Sequence, residues 1–179
     1  MSMDHKAYVF DYDAFQKELA PVLEVALRAN ETKSILAFIE SNFDDLKDPY
    51  EGEPLSEDWE DSLGNRDLQE FADYALTKFY DPAEYLGMST QWHHVYDKLP
   101  RNLQNATLGV ALGQEPNYFD PGRQGAYFQS PSLVAANVQL LASIPKDLDL
   151  TDDDLESIEE YLSLLQEALG QKLGVYVTF

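Results

Sequence analysis

The chain has 179 residues, of which 44% are apolar and 12% aromatic. That is enough for a single domain over residues 1–179 with a substantial core, and too apolar for a disordered chain. Its 33 acids and 12 bases leave a formal net charge of -21, a surface that repels DNA and anionic membranes, so neither is expected as a direct partner. Cysteine is absent, which excludes disulfides and thiolate metal sites. There is no apolar run of about 18 residues to span a bilayer. The N-terminal MSMDHKAYVF lacks a basic-then-apolar leader, so the cytoplasm is the expected compartment.

At the N-terminus, AYVFDY (7–12) alternates Tyr8, Phe10 and Tyr12 with period two, a strand pattern. Asp13 and Gln16 have the spacing of an N-cap and its N3 partner. The stripe Phe15, Leu19, Val22 and Ala26 predicts a first helix, which Pro21 should bend or delay. Ile35, Ile39, Phe43 and Leu46 predict a second over 32–46. Residues 48–64, with Pro49, Gly52, Pro54 and Gly64 among acids, read as a solvated loop anchored by Trp59.

A third helix starts near Asn65 and carries Leu68, Phe71, Ala75 and Phe79. Residues 80–88 read as a turn. Ser89 is placed to cap a fourth helix bearing Trp92, Val95 and Leu99, which stops before Pro100. Leu103, Ala106 and Val110 mark a fifth that ends at Gly113. Residues 114–129 form the most irregular stretch. Ser130-Pro131 then starts a helix with Leu133, Val134, Val138 and Leu141. Thr151 with Asp154 caps the last helix, whose stripe is Leu155, Ile158, Leu162, Leu165 and Leu169, with Gly170 as the residue beyond its end. The closing GVYVTF alternates again. The expected fold is α+β and predominantly helical. About seven helices surround a small antiparallel sheet that includes the N- and C-terminal strands, which can pair with each other.

Charge is unevenly distributed. Residues 40–61 carry ten acids against Lys47, and residues 147–167 carry nine acids and no base. Between them, residues 82–130 are nearly balanced and contain His93 and His94. Adjacent histidines on a helix point about 100° apart and do not share a metal readily. No zinc-type i, i+4 histidine pair is present. The acids at 147–158 lack the Gly and Glu that a calcium loop requires, and capping explains them. No metal or cofactor is therefore expected.

His93 and Asp97 do stand at i, i+4, a spacing at which a carboxylate orients an imidazole. The loop Asn117–Phe128 mixes aromatics and glycines with Arg123, whose guanidinium suits a carboxylate or phosphate, yet it contains no phosphate-loop motif. Trp92, His93, Asp97, Asn117, Tyr118, Arg123 and Tyr127 are thus the candidate ligand-binding residues. No catalytic residue is assigned, because neither Gly-x-Ser-x-Gly nor any other nucleophile signature occurs.

Trp92-His93 followed by Val95, Ala106-Thr107-Leu108-Gly109 with Leu112-Gly113, and Tyr127-Phe128, Ser130-Pro131 and Val134 carry a resemblance to the YfbM-like family of bacterial proteins of unknown function. It covers roughly residues 90–145. The chain departs from that pattern at Tyr96, where the family places a second His. It departs again at Asp97–Pro100, and at Val110 and Ala111, which break a double glycine. The resemblance implies a small bacterial α+β domain and leaves its activity undefined.

Two functional readings follow. In the first, the chain is a non-catalytic acidic interaction module, an inhibitor- or immunity-like protein or a DNA mimic, that binds a basic partner. In the second, it is an enzyme or small-ligand binder with a pocket between the 89–99 helix and the 117–128 loop. A purely structural subunit, betrayed by an exposed apolar patch, is a third.

Overall fold

The computed structural model describes residues 3–179. Among these residues the fold is α+β, with eight α-helices and a five-stranded antiparallel sheet. The strands are β1 (His5–Phe10), β2 (Leu86–Ser89), β3 (Val110–Ala111), β6 (Ala126–Gln129) and β7 (Gly174–Thr178), in the order β2-β1-β7-β6-β3. A separate hairpin pairs β4 (Gly113–Gln114) with β5 (Asn117–Tyr118). The N- and C-terminal strands do pair, from Lys6 opposite Thr178 to Phe10 opposite Gly174.

The alternation of these strands splits the protein into two cores. Tyr8, Phe10, Phe128 and Tyr176 point to one face of the sheet, and Ala7, Val175 and Val177 to the other. The first face is covered by α1 (Tyr12–Glu18), α2 (Ala20–Ala29), α3 (Lys33–Ser41) and α4 (Leu68–Leu76), through Phe15, Leu23, Ile35 and Phe71. The second is covered by α5 (Trp92–Lys98), α6 (Arg101–Ala106), α7 (Pro131–Ala142) and α8 (Asp152–Gln171), through Val95, Leu103, Val138 and Leu165. The first half of the chain therefore clothes one face and the second half the other.

Eight helices stand where seven were expected because the first stripe is cut at Leu19, which ends α1 and begins α2, with Pro21 in the first turn of α2. The N–H groups of that turn have no intrahelical acceptor in any case, so proline fits there. The cap of α1 is Asp11, whose carboxylate accepts from Ala14 N at 3.1 Å, and not Asp13. Ser130 and the Thr151–Asp154 capping box start α7 and α8 as the sequence indicates. Trp59 does anchor the acidic loop, packing on Phe71 and Tyr74.

Several expectations are corrected. Ser89 does not cap α5; it ends β2, with Gln91 at the helix start. The third helix is shorter than predicted, capped by Asp67 and passing into a 3-10 turn at Thr77–Phe79. The fifth stops at Ala106, and Val110 belongs to β3. Gly109 makes that change of direction, with φ 120° and its Cα so near Phe128 O that a Cβ would stand 2.7 Å from it. Helix α8 runs through Gly170, and Lys172 takes the left-handed position beyond it. Its buried side is Ile158, Tyr161, Leu164, Leu165 and Ala168, so Leu155 and Leu169 are exposed. Tyr161, a large side chain with a buried hydroxyl partner, turns the helix toward it.

Two glycines test this architecture from opposite sides. A Cβ on Gly87 would stand 2.1 Å from His5 O, inside the β1–β2 contact, whereas a Cβ on Gly170 would meet nothing within 4 Å. Gly87→Ala is expected to lower unfolding free energy by roughly 2 kcal/mol or more. Gly170→Ala should raise it by about 0.5–1 kcal/mol, both read by urea titration.

Candidate functional site

Buried polar groups are where a chemical role and a structural role must be separated. His5 is almost fully buried on β1. Its Nε2 lies 2.8 Å from Thr107 O, and its Nδ1 accepts from Met88 N at 3.2 Å. These partners fix a neutral ring with its proton on Nε2. Burial drops its pKa to about 4. His5 therefore ties β1 to β2 and to the end of α6.

Gln129 is similarly committed. Its Nε2 donates to Tyr161 Oη at 2.7 Å, and its Oε1 accepts from Asn137 Nδ2 at 2.9 Å. Asp154 accepts from Thr151 N, Gln91 Nε2 and Lys98 Nζ at 2.9, 2.8 and 2.7 Å. Burial works against its ionisation, but Lys98 and the two amide donors outweigh it and hold the carboxyl well below the usual range.

Asp73 is different. It lies on α4, which is buried from Phe71 to Leu76, and its own exposure is 7%. Its one side-chain partner among the described residues is Tyr50, whose hydroxyl donates to Oδ2 across 3.3 Å. Tyr50 comes from the acidic loop, where its N–H donates to Asp48 Oδ1 at 2.7 Å. Asp48 also accepts from Tyr74 Oη at 3.1 Å. Burial, then the negative charges of Asp48 and Glu70, push Asp73 up to about 7 against the pull of the Tyr50 hydrogen bond.

Several phenols share this core. Tyr8 on β1 and Tyr176 on β7 are opposite each other in the sheet. Tyr80, just beyond α4, lies 4.6 Å from the Tyr8 ring and 5.3 Å from the Tyr176 ring. Tyr85 lies 5.9 Å from Tyr8 at the rim, where Lys6 Nζ sits 5.4 Å over its ring. Burial raises the phenol pKa of Tyr8, Tyr80 and Tyr176, and the Asp73 charge raises each further. The Tyr176 hydroxyl is buried toward the Thr178 side chain, with no hydrogen bond of normal geometry among the described residues.

The sequence-derived candidates fall elsewhere. Trp92 is buried on α5 against Tyr96, Phe179 and His5, and its Nε1 also has no partner among the described residues. His93 and Asp97 are exposed, and among the described residues no hydrogen bond joins them. Tyr127 is half-buried and packs into the second core. Arg123, exposed at φ 58°, lines a groove of about 410 Å³ with Tyr50, Asn65, Asp67, Gln69, Glu70 and Asp120. Asn117 and Tyr118 line a smaller one against α2 and α4. Neither groove contains a residue of α5, so Arg123 and the tip of the hairpin meet the first core while Trp92, His93 and Asp97 belong to the second.

Among the described residues no group of three or more His, Asp or Glu side chains is arranged to hold a metal ion, and no helix is long and apolar enough to cross a membrane. No protein-family model matches the chain, and no curated protein or solved structure shows significant similarity to it.

Asp73 and His5 act on stability in opposite senses. The folded protein keeps the Asp73 proton up to about pH 7, whereas an unfolded chain releases it near pH 4. Stability from this group is full below about pH 4 and falls as the pH rises to about 7. For His5 the unfolded chain takes up a proton below about pH 6.5 and the folded protein only near pH 4, so stability falls as the pH drops through that window. Asp73→Asn is expected to melt higher than the wild type at pH 8 and to converge with it near pH 4, leaving the His5 slope exposed. Parallel melting curves at all pH values would contradict this.

Proposed function

We propose that the protein is a non-catalytic interaction module that presents carboxylates to a basic partner, in the manner of an inhibitor or immunity protein acting in the cytoplasm. The observation that carries this reading is the outer face of α8. The helix has 20 residues, about 30 Å of length, and no basic residue. Asp152, Asp153, Glu156, Glu159, Glu160 and Glu167 are all exposed on the side opposite Ile158 and Leu165.

Like charges at i, i+3 and i, i+4 cost the helix a few tenths of a kcal/mol each, so this ladder works against the stability of the element that carries it. A cationic surface laid along it would relieve that repulsion and be steered to it from a distance. The polar groups with strongly displaced pKa on this side of the sheet, His5, Asp154 and Tyr161, are engaged in holding backbone, helix ends and Gln129. That leaves no acid–base pair to support an enzyme reading in the second core. A small-molecule pocket between the 89–99 helix and the 117–128 loop draws no support from the grooves, which join that loop to α2 and α4.

The test is a pull-down from source lysate with the wild-type chain and with E156Q/E159Q/E160Q/E167Q. The wild type should retain a basic protein at low salt and release it at high salt, since surface attraction is screened over about 10 Å at 0.1 M. The variant should retain at least about tenfold less, roughly 1.4 kcal/mol of lost attraction. Equal capture by both chains, or capture indifferent to salt, would refute the α8 reading.

A further inference from the structure

The sheet has two open edges, and the chain treats them differently. Beside β2 the groove is lined by Asp81, Glu84 and Glu167, and the pairing of β2 with β1 shifts register between His5 and Ala7. Charges and irregular pairing are how folded proteins keep an edge strand from recruiting another strand. The β3 edge is apolar. It reads Val-Ala between Gly109 and Leu112, and Val110 is 62% exposed. β3 stands last in the sheet, with no strand on its outer side among the described residues. A groove of about 290 Å³ runs beside it, lined by Tyr12, Phe15, Leu112 and Leu133, with Glu24 on the α2 side.

The elements around this edge are set apart by composition. Residues 98–114 and 121–146 contain no acid, although the chain has 33, and they carry Lys98, Arg101, Arg123 and Lys146. These segments supply α6, β3, β6 and α7. Helix α7 has 12 residues and no charged side chain, yet Ala136, Gln139, Leu140 and Ala142 are exposed on it. A helix without a polar face is normally covered on every side. Leu133 lies on the β3 groove, and Leu140, two turns further along, shares its side of the helix.

We propose that the β3 edge and the Leu133–Leu140 side of α7 form the interface of a homodimer, in which the β3 strands of two copies pair antiparallel across a two-fold axis. A second copy is the occupant for two reasons. In a two-fold contact the same patch meets itself, so an acidic patch would meet an equally acidic one. For a chain of net charge -21 this confines self-association to a surface poor in acids, and the β3–α7 side is built from the two acid-free segments. Identical strands related by a two-fold axis also run antiparallel by symmetry, so an open edge is complementary to its own copy. A basic partner is drawn instead to the acid-rich faces, α8 among them. Helix α8 packs over β2 and β1, at the other end of the sheet, so pairing through β3 leaves the acidic ladders of both copies open.

The test is sedimentation equilibrium on the full chain over a range of concentrations, at about 0.05 and 0.5 M salt. A monomer–dimer equilibrium is expected, and salt should strengthen it several-fold by screening the repulsion between two acidic copies. Capture of a basic protein by α8 responds to salt in the opposite sense, so the two readings fail separately. Val110→Glu and Leu140→Glu set like charges against each other at the contact, and each should weaken dimerisation at least about tenfold. Leu86→Glu, the same change at an exposed position of the β2 edge, should leave it unchanged. Exchange of the backbone amides over 109–112 should slow as the protein concentration rises, while that over 86–89 stays constant. A monomer at every concentration up to about 1 mM overturns the proposal. So does a dimer that Val110→Glu and Leu140→Glu leave intact, or one whose concentration-dependent protection falls on 86–89.

Discussion

Five register positions between β1 and β7, from Lys6–Thr178 to Phe10–Gly174, join the two ends of the chain at the centre of the sheet. Each residue in this pair of strands commits its neighbour to the opposite face, because successive side chains alternate. Tyr8 and Tyr176 thereby enter one core, and Ala7 and Val177 the other. A slip of one residue would exchange the two sets and place phenols where α8 packs. The pairing closes nearly the whole chain into a loop, at an entropic cost that only many non-local contacts offset. The α7–α8 pair, the β6–β7 pair and the α8–β1 packing all depend on it. Four of the six residues of β1 and four of the five of β7 are consequently buried.

Against that frame, the buried polar groups sort by how completely they are satisfied. Both ring nitrogens of His5 have partners, Gln129 uses its amide fully, and Asp154 accepts from three donors. Satisfaction of this kind is the rule in folded proteins, and it locks strands and helix ends in place. Asp73 stands out because its single side-chain hydrogen bond comes from an exposed loop tyrosine. Holding a carboxyl there in its protonated form costs the protein stability at neutral pH, so the group is an expense in structural terms. The two buried donors without a partner among the described residues, Tyr176 Oη and Trp92 Nε1, are neutral and sit among aromatic rings.

The sequence displays most of the fold and little of the site. Helix starts at Ser130 and Thr151, the break at Pro21 and the two terminal strands are legible because each rests on local chemistry or on a clean period. Strands β2, β3 and β6 are not legible. Met88 is the only buried side chain of β2, β3 is two residues long, and β6 reads Ala-Tyr-Phe-Gln with a buried glutamine where a polar residue would signal the surface. Residue types and spacing single out the candidates near His93, and neither says which side of the sheet an element covers. Asp73 looked like one acid among 33. Its place on the buried side of α4, between Phe71 and Leu76, is visible as an interruption in an apolar run, and that is the only sequence signal that marks it.

The two electrostatic features of this protein differ in range, and the difference bears on how they would act together. Carboxylates on α8 are hydrated and screened, so they act through their sum over a helix length and give association rate more than affinity. Asp73 is one charge removed from water, where attraction at close quarters is many times stronger and screening by salt is slight. The first kind of field gathers cations without distinguishing them. The second acts only on what touches it, here the Tyr50 hydroxyl. A protein with only the acidic ladder would bind basic surfaces in general. The Asp73 proton instead ties the stability of the fold to pH near neutrality, where a surface carboxylate is insensitive.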